Sequence, residues 1–424
     1  MLQGKTLFRN VGKVTNREVP TAGVSVSTSP GASLAERMGR IKPSATLAAT
    51  ARAARLKAQG RDILSLTAGE PDFDTPAHVA AAGIEAIRQG RTRYTPVEGV
   101  PALRDAIVAK FARDNGLAYS REQVLVSNGA KQVLFNLCMA LLGPGDEAVI
   151  PAPYWVSYPD MTLLAGATPV ILATTAAAGF KITPAELEAA LTTRTRLLFL
   201  NSPCNPSGAG YTRAELAALG DVLLRHPQVT IATDDIYEHI WWGPEPFCSL
   251  AAACPALYDR TVTINGLSKS HAMTGWRMGY CGGPAALITA MATIQGQSTG
   301  NASSISQYAA IAALEGPQDC VAEMNREYRR RHDLVVAGLR EIPGIDCLPG
   351  WGTFYAFADV TIAMSAVGCA DDLAFTDHLL ESVGVAVVPG AGFGCPGHVR
   401  VSFAAAEPTL VDALARIRKA VGFS

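Results

Sequence analysis

Short apolar segments alternate with helical segments along most of this chain, and that alternation limits the folds it can adopt. The apolar segments each end at a polar cluster, and they cover residues 124–126, 147–150, 197–200, 229–232 and 262–264. Helical patterns fill the intervals, and two more, at residues 76–88 and 100–115, come before the first of these segments. Short apolar strands that alternate with helices are typical of a mostly parallel sheet with helices on both faces.

A second pattern begins after Gly316, where a long charged helix is followed by shorter elements. These are strands near Cys347 and at 354–358, a helix at 371–383, a strand at 385–388 and a last helix from Pro408. This pattern indicates a smaller α/β unit, and the alanine-rich helix at 44–60 can pack with it. We therefore predict a large domain of residues 65–315, a small domain of residues 32–64 and 316–424, and an N-terminal extension of residues 1–31 that is disordered. A transit-type presequence is the alternative for the extension.

Composition argues against several classes of partner. The 424 residues carry 36 basic and 37 acidic side chains, which argues against a nucleic-acid or acidic-membrane surface. An uncharged stretch from Met161 to Phe180 contains Gly166 and Pro169, and these predict a turn and a strand instead of a membrane span. The nine cysteines form no CxxC pair and indicate free thiols in a reducing, cytoplasmic compartment. The seven histidines lack metal-ligand spacing, so we expect no metal.

The polar clusters after the predicted strands carry groups that suit one cofactor. Their sequences are SNGAKQ after residue 126, NSPCNPSG after 200, TDDIYE after 232 and NGLSKSHAMTGWR after 264. Ligands of open α/β sheets bind beyond the carboxyl ends of the strands, so these clusters are expected to meet. Glycines, amides, a carboxylate, a phenol, a lysine and an arginine together fit a phosphorylated, ring-bearing cofactor.

Individual residues in these clusters have candidate roles. The segment SNGAKQ opens a helix and presents free N–H groups to an anion, and Arg277 offers a fixed guanidinium to a phosphate. Asp234 can keep a pyridine nitrogen protonated, and Asp235 is the competing candidate. Each residue alone has a commoner structural explanation, such as a helix cap or a surface ion pair, and only the set favours a site.

Four further residues complete the predicted chemistry. Tyr237 and Asn205 can hold a phenolate oxygen, and Trp155 can stack on a flat ring. Lys269 can form an imine with a carbonyl carbon when burial or a neighbouring cation lowers its pKa. Arg400, on a late strand, can bind a substrate carboxylate through two parallel hydrogen bonds.

The motifs resemble those of a known family along nearly the whole chain after the extension. The chain resembles the fold-type I, class-I aminotransferases that depend on pyridoxal 5'-phosphate, and specifically the bacterial aspartate aminotransferases of subgroup Ib. The resemblance is carried by KPSAT at 42–46, LTAGEPDFDTP at 66–76, RYTPVEGVPALR at 93–104, GAKQ at 129–132, PAPYWVSYP at 151–159, NSPCNPSG at 201–208, SKSHAMTGWRMGY at 268–280 and HVRVSF at 398–403. It implies a large domain with a mostly parallel seven-stranded sheet flanked by helices, together with a smaller α/β domain.

The resemblance also implies a role for each matched residue. Lys269 would be the Schiff-base lysine, with Asp234 on the pyridine nitrogen, Tyr237 and Asn205 on the ring hydroxyl, and Trp155 on the ring face. The phosphate would be surrounded by Gly129, Ala130, Lys131, Ser268 and Arg277, together with Tyr94 from the other subunit. The amino-acid substrate would be held by Gly69, Trp155, Asn205 and Arg400, with Lys42 and Thr46 near its side chain.

Three positions depart from the family pattern. Asp235 stands where the family often has glutamate, and Cys204 stands where asparagine or serine is usual. The turn Pro349-Gly350-Trp351-Gly352-Thr353 replaces a simpler turn, and we expect this change to lie near the substrate pocket.

The resemblance implies ping-pong transfer of the amino group of an L-amino acid to a 2-oxo acid. L-Aspartate and 2-oxoglutarate are the first substrate pair, with prephenate or aromatic amino acids as the alternative. A pyridoxal-phosphate β-lyase and a non-catalytic sensor that binds the cofactor are more distant alternatives. The expected assembly is a homodimer with shared active sites, and the expected partners are small molecules, with neither nucleic acid nor membrane.

Overall fold

The computed structural model describes residues 9–10, by their backbone, and residues 33–422. The strands within these ranges are β1 Arg9–Asn10, β2 Leu64–Ser65, β3 Val124–Asn128, β4 Glu147–Ala152, β5 Thr168–Ala173, β6 Thr195–Asn201, β7 Thr230–Asp234, β8 Thr261–Gly266, β9 Met278–Gly282, β10 Asp346–Cys347, β11 Tyr355–Asp359, β12 Val385–Ala386, β13 Val388–Pro389 and β14 His398–Ser402. The α-helices are α1 Ala45–Ala58, α2 Ala77–Arg88, α3 Pro101–Lys110, α4 Ala130–Leu141, α5 Ser157–Leu164, α6 Pro184–Ala190, α7 Arg213–Leu224, α8 Leu250–Ala253, α9 Leu267–Ser270, α10 Ala285–Gly296, α11 Ser304–Glu315, α12 Asp319–Arg340, α13 Thr361–Ala366, α14 Asp372–Val383 and α15 Glu407–Ala420.

The main sheet has the strand order β1-β5-β4-β6-β7-β8-β9-β3. The run from β5 through β4, β6 and β7 to β8 is parallel, and β9 lies antiparallel between β8 and β3. Strands buried on both faces need nearly continuous apolar sequence, and Leu197 to Leu200 in β6 meet this need because all four are buried. The predicted mostly parallel, seven-stranded sheet is confirmed in β3 to β9, and β1 adds a short eighth strand at the edge.

Two sequence signals set the ends of helices in this part of the chain. The side chains of Thr183 and Thr212 each accept a hydrogen bond from the backbone N–H group of the glutamate three residues on. The side chain of that glutamate accepts a hydrogen bond from the backbone N–H group of the threonine. These reciprocal capping boxes satisfy N–H groups that a helix start would otherwise leave open. The helices α6 and α7 therefore begin where the sequence places a threonine and then a glutamate.

The second unit contains an antiparallel sheet in the order β10-β11-β14-β13 and a separate parallel pair of β12 with β2. The single strand predicted at 385–388 is therefore two short strands in different sheets. The β12–β2 pair joins the segment after α1 to the C-terminal part of the chain, and Ala53, Leu56, Leu380 and Ala386 share one apolar cluster there. These contacts support the predicted grouping of residues 32–64 with 316–424, whose boundaries stay a prediction.

The extension includes an element that the sequence did not predict. Arg9 and Asn10 pair in parallel with Val170 and Ile171 of β5, while the predicted disorder of the extension at residues 1–31 stays a prediction. Residues 1–8 and 11–32 lie outside the described residues. Among the residues that the structure describes, no helix combines the length and apolarity needed to cross a bilayer.

Candidate active site

A cleft of about 510 Å³ lies at the carboxyl ends of the parallel strands, between the main sheet and the second unit. Most of the predicted site residues line it. They are Thr46, Gly69, Ala130, Lys131, Trp155, Asn205, Asp234, Tyr237, Ser268, Lys269, Arg277 and Arg400. The expectation that separate strand ends meet at one place is therefore confirmed as geometry.

Lys269 lies in the short helix α9, which begins directly after β8. Its Nζ donates a hydrogen bond to the carbonyl oxygen of Gly69, and the same atom lies 5.9 Å from the ring centroid of Tyr237 and 5.6 Å from that of Phe354. Burial, with a smaller contribution from the Arg400 guanidinium, lowers the pKa of Lys269 to about 8. An amine with this pKa is partly neutral near neutral pH and is therefore nucleophilic.

Asp234 is the last residue of β7 and is buried at the floor of the cleft. One carboxylate oxygen, Oδ2, accepts a hydrogen bond of 2.6 Å from the Tyr158 hydroxyl. The other oxygen, Oδ1, is buried and has no hydrogen-bond partner within residues 33–422. Burial raises the pKa of Asp234 to about 6.

Asp235 was the competing candidate, and it does not line the cleft. Burial and then the charge of Glu238 raise the pKa of Asp235 well above its usual range. Because Asp234 lines the cleft and Asp235 does not, the geometry favours Asp234 as the partner of a charged ring nitrogen.

The N-terminus of α4 and Arg277 form another part of the cleft lining. Gly129 precedes this helix with a φ of +86°, and a Cβ atom at this position would lie 2.3 Å from Nη2 of Arg277. Arg277 itself has a φ of +56° and donates hydrogen bonds to the carbonyl oxygens of Asn128 and Thr274. Burial, and then the charge of Arg277, lower the pKa of Lys131. Two cations beside a helix N-terminus make a site for an anion.

Arg400, in β14, is buried with 2% of its surface exposed. Its Nη1 donates to Oδ1 of Asn205 at 3.0 Å, and its Nη2 donates to the carbonyl oxygen of Thr67 at 2.9 Å. The guanidinium carbon lies 4.2 Å from the ring centroid of Tyr355. A guanidinium held in this way is oriented in advance for a carboxylate in the cleft.

Three predicted residues are not in the lining of this cleft. Gly129 lies directly behind it, against Arg277. Lys42 lines a neighbouring cleft of about 480 Å³, and Tyr94 is 98% exposed. Tyr94 lines neither of these two clefts, and its expected contact with the phosphate of another subunit stays a prediction.

None of the turn residues 349–353 is among the residues that line this cleft, although Tyr355 lines it, and an effect of the altered turn on the substrate pocket stays a prediction. Trp351 packs on Trp241 with ring centroids 6.0 Å apart, and Nζ of Lys181 lies 4.6 Å from the Trp351 ring. The backbone N–H of Trp351 donates to the carbonyl oxygen of Gly208. The turn therefore packs on the loop that carries Asn205 and Gly208, and its own residues are not part of the cleft lining.

The structure adds residues that the sequence analysis did not name. Tyr158 and Asn201 both contact Asp234. The Tyr158 hydroxyl donates to the Asp234 carboxylate, and the Asn201 side-chain amide donates to the Asp234 backbone carbonyl oxygen at 2.7 Å. The Tyr355 hydroxyl lies 3.2 Å from the Tyr237 hydroxyl. Tyr158 falls three residues after Trp155, which places the two side chains on one side of a helical turn, and this spacing was the available signal.

Comparison with known proteins identifies the class. The sequence profile described as "Aminotransferase class I and II" matches residues 61–417. The chain is 53% identical to an aspartate/prephenate aminotransferase of Cereibacter sphaeroides over 91% of this chain and 98% of that protein. It also matches the crystal structure of the aspartate aminotransferase of Rhizobium meliloti with a TM-score of 0.88 and 47% identity, over 92% of this chain and 99% of that one. An aspartate aminotransferase of Thermus thermophilus with maleate matches with a TM-score of 0.86 and 43% identity, over 92% and 100% of the two chains.

The fold and the site thus define a pyridoxal-phosphate-dependent aminotransferase. The chain belongs to the class I and II aminotransferase family.

The residues of the cleft fit the cofactor that this family uses. The unpartnered Oδ1 of Asp234 suits a protonated ring nitrogen, because a buried acceptor without a donor is costly. The close approach of Gly129 to Arg277 leaves no room for a side chain where a phosphate is expected. Lys269 supplies an amine in the same cleft.

Proposed function

We propose that this enzyme transfers the amino group of L-aspartate to 2-oxoglutarate by a ping-pong mechanism. The observation that carries the proposal is that Lys269 shares one cleft with a cation site suited to a phosphate and with the buried Arg400, which is suited to a carboxylate. The names of the relatives support the substrate, because those compared above are aspartate or aspartate/prephenate aminotransferases.

We assign Lys269 the central role in catalysis. Bound pyridoxal phosphate supplies an aldehyde carbon and a ring that accepts electrons. The amine of Lys269 would hold the cofactor and, as a free amine, would remove and return the proton at Cα of the amino acid. Its pKa of about 8 suits this exchange, since the amine both accepts and donates a proton near neutral pH.

The other site residues bind and orient. Arg400 holds the α-carboxylate, with Asn205 and Gly69 beside it, and Trp155 covers the ring face. Asp234 would keep the ring nitrogen of the cofactor protonated, and Tyr237 and Asn205 would hold its ring hydroxyl. The phosphate contacts are assigned to Gly129, Ala130, Lys131, Ser268 and Arg277.

Prephenate is the second candidate substrate, because the relative with 53% identity is named for both aspartate and prephenate. Thr46 lines the cleft and Lys42 lines the adjoining one, so both lie where a longer substrate side chain would extend. Aromatic amino acids are the further option from the resemblance.

We also propose a cytoplasmic homodimer with shared active sites. The support is the fully exposed Tyr94 and the second cleft of about 480 Å³, which adjoins the first through Lys131 and Arg277. Sedimentation of the purified protein tests the assembly, and a monomer that retains full activity contradicts it.

A screen of substrate pairs tests the proposed reaction. Each L-amino acid is mixed with the cofactor-loaded enzyme, and the change in visible absorbance reports amine transfer to the cofactor. Aspartate is then paired with 2-oxoglutarate and with prephenate. We expect the highest kcat/KM with aspartate as donor; release of pyruvate and ammonia without an oxo acid contradicts the proposal and indicates a β-lyase.

A further inference from the structure

Two oxygens of the Asp234 carboxylate have different surroundings. Oδ2 accepts a hydrogen bond of 2.6 Å from the Tyr158 hydroxyl, while Oδ1 is buried without a partner in residues 33–422. The backbone N–H of Ile236 also lies beside this carboxylate, although it makes no hydrogen bond of ordinary geometry to Oδ1. A carboxylate fixed through one oxygen has a defined direction for its other oxygen.

Tyr158 is itself held firmly. It is 2% exposed, its ring stacks on Phe199 with centroids 4.6 Å apart and an interplanar angle of 17°, and Trp155 meets it edge-to-face at 5.4 Å. Phe199 lies in β6, next to β7, which carries Asp234. The hydroxyl is therefore placed by the core of the main sheet and not by a mobile surface loop.

From this geometry we infer that Tyr158 is a positioning residue for the cofactor. Its hydroxyl fixes the Asp234 carboxylate so that Oδ1 is presented to the ring nitrogen, and it keeps that carboxylate ionised. The inference deepens the proposed function, on which it rests, because it assumes that the ring nitrogen meets Asp234. Tyr158 would act through Asp234 and is given no direct contact with the reacting atoms.

The charges around the pair support the direction of the hydrogen bond. Burial and then the Asp234 charge raise the pKa of Tyr158 well above its usual range, so its hydroxyl stays protonated and donates. Burial raises the pKa of Asp234 to about 6, and the Tyr158 hydrogen bond and the Lys269 charge oppose that rise. Cys204, Asp235 and Tyr237 also face this pair, and none of them carries a positive charge.

The affinity of the apoenzyme for pyridoxal phosphate, measured against pH, tests the inference. Binding requires ionised Asp234, so we expect the affinity of the natural enzyme to fall below about pH 6. Tyr158→Phe keeps the ring and its stacking but removes the donor. We expect it to weaken binding at pH 7 by about tenfold and to move the acidic limb of the profile to higher pH.

Tyr119→Phe is the matched control. Tyr119 is also a buried tyrosine whose hydroxyl is hydrogen-bonded, but its partner is Thr263, at 2.9 Å, where that of Tyr158 is Asp234. We expect its binding profile to match that of the natural enzyme. Thermal unfolding of both apoproteins shows whether a change in affinity comes from a general loss of the fold.

Replacement of Tyr158 by 3-fluorotyrosine gives a second test that preserves the shape of the side chain. Fluorine makes the phenol a stronger donor, so the acidic limb should move to lower pH, opposite to the phenylalanine variant. An unchanged limb in both folded variants overturns the inference. A different result would contradict the proposed function and leave this inference standing: the natural enzyme would bind the cofactor with the expected pH profile but transfer no amine.

Discussion

Arg400 and Asn205 are 195 residues apart in the chain, and their side chains meet at 3.0 Å in the cleft. This hydrogen bond joins β14 of the second unit to the loop that follows β6 of the main sheet. The Arg400 guanidinium is thus positioned by the same loop that is expected to contact the cofactor.

Substitution of Arg400 by lysine should affect substrate binding more than cofactor binding. Arg400→Lys loses the planar pair of donors, so we expect kcat/KM for aspartate to fall by about 10- to 100-fold while the visible absorbance of the bound cofactor is retained. Arg416→Lys is the control, because Arg416 forms surface ion pairs with Asp62 and Asp412. Equal losses in the two variants would contradict the assignment of Arg400.

Crowding at Gly129 should weaken phosphate binding. Gly129→Ala places a Cβ atom 2.3 Å from Nη2 of Arg277, so the guanidinium must move, and we expect the affinity for pyridoxal phosphate to fall at least about tenfold. Gly60→Ala is a close control, since Gly60 has the same φ of +86° and no atom within 4 Å of its would-be Cβ. Gly60→Ala should cost about 1 kcal/mol of stability from backbone strain and leave cofactor affinity unchanged. Titration of the apoenzymes by fluorescence makes the comparison.

Asp234 should destabilise the apoprotein at neutral pH while it serves cofactor binding. Its pKa in the folded apoprotein, about 6, lies above the usual 3.8, so the folded state binds this proton more tightly than the unfolded state does. The stability of the apoprotein therefore falls as the pH rises from about 4 to 6, by about 3 kcal/mol in all. Asp234→Asn should remove this loss, so the apoprotein unfolds at higher denaturant concentration at pH 8 and binds the cofactor more weakly.

The neighbouring aspartate provides the control for that experiment. Burial and the charge of Glu238 raise the pKa of Asp235 well above its usual range, and Asp235 does not line the cleft. Asp235→Asn should therefore change the stability and the cofactor affinity much less than Asp234→Asn does. Cofactor binding that is lost in Asp235→Asn and kept in Asp234→Asn would reverse the assignment.

The rate of covalent cofactor capture should depend on the ionisation of Lys269. Only the neutral amine attacks a carbonyl carbon, and the pKa of Lys269 is lowered to about 8. The rate should therefore rise as the pH is raised through about 8 and level off above it. Stopped-flow absorbance after mixing apoenzyme with pyridoxal phosphate measures this rate, and a rise centred near 10.5, the ordinary lysine value, would contradict the described environment.

The sequence predicted where the cleft lies, but it did not predict every element and side chain around it. Apolar segments that end in polar clusters predicted which strand ends meet, because parallel strands share one edge of the sheet. The strand β9 was missed, since the sequence Met-Gly-Tyr-Cys-Gly at residues 278–282 has two glycines and no clear alternation. Its position between β8 and β3 depends on pairing that is not local in the chain.

The sequence also did not predict the contacts that Tyr158 and Tyr355 make with the site residues. Tyr158 reaches Asp234, and Tyr355 lies between Arg400 and Tyr237, only because distant elements pack together. The three-residue spacing of Tyr158 from Trp155 indicates which side of the turn it occupies, but nothing local shows that either tyrosine contacts a site residue and not only the core. The turn at Trp351 is the reverse of these tyrosines, because its local sequence is unusual but its residues are not part of the cleft lining.

The most direct test of the central claim is the visible absorbance and amine transfer of Lys269→Ala. Without this amine we expect the absorbance of covalently held cofactor to be absent and the rate of amine transfer to fall by about three orders of magnitude or more. Lys181→Ala, which removes a lysine that packs on Trp351 outside the cleft, should keep both. A Lys269→Ala enzyme with the absorbance band and the turnover of the natural enzyme would contradict the account.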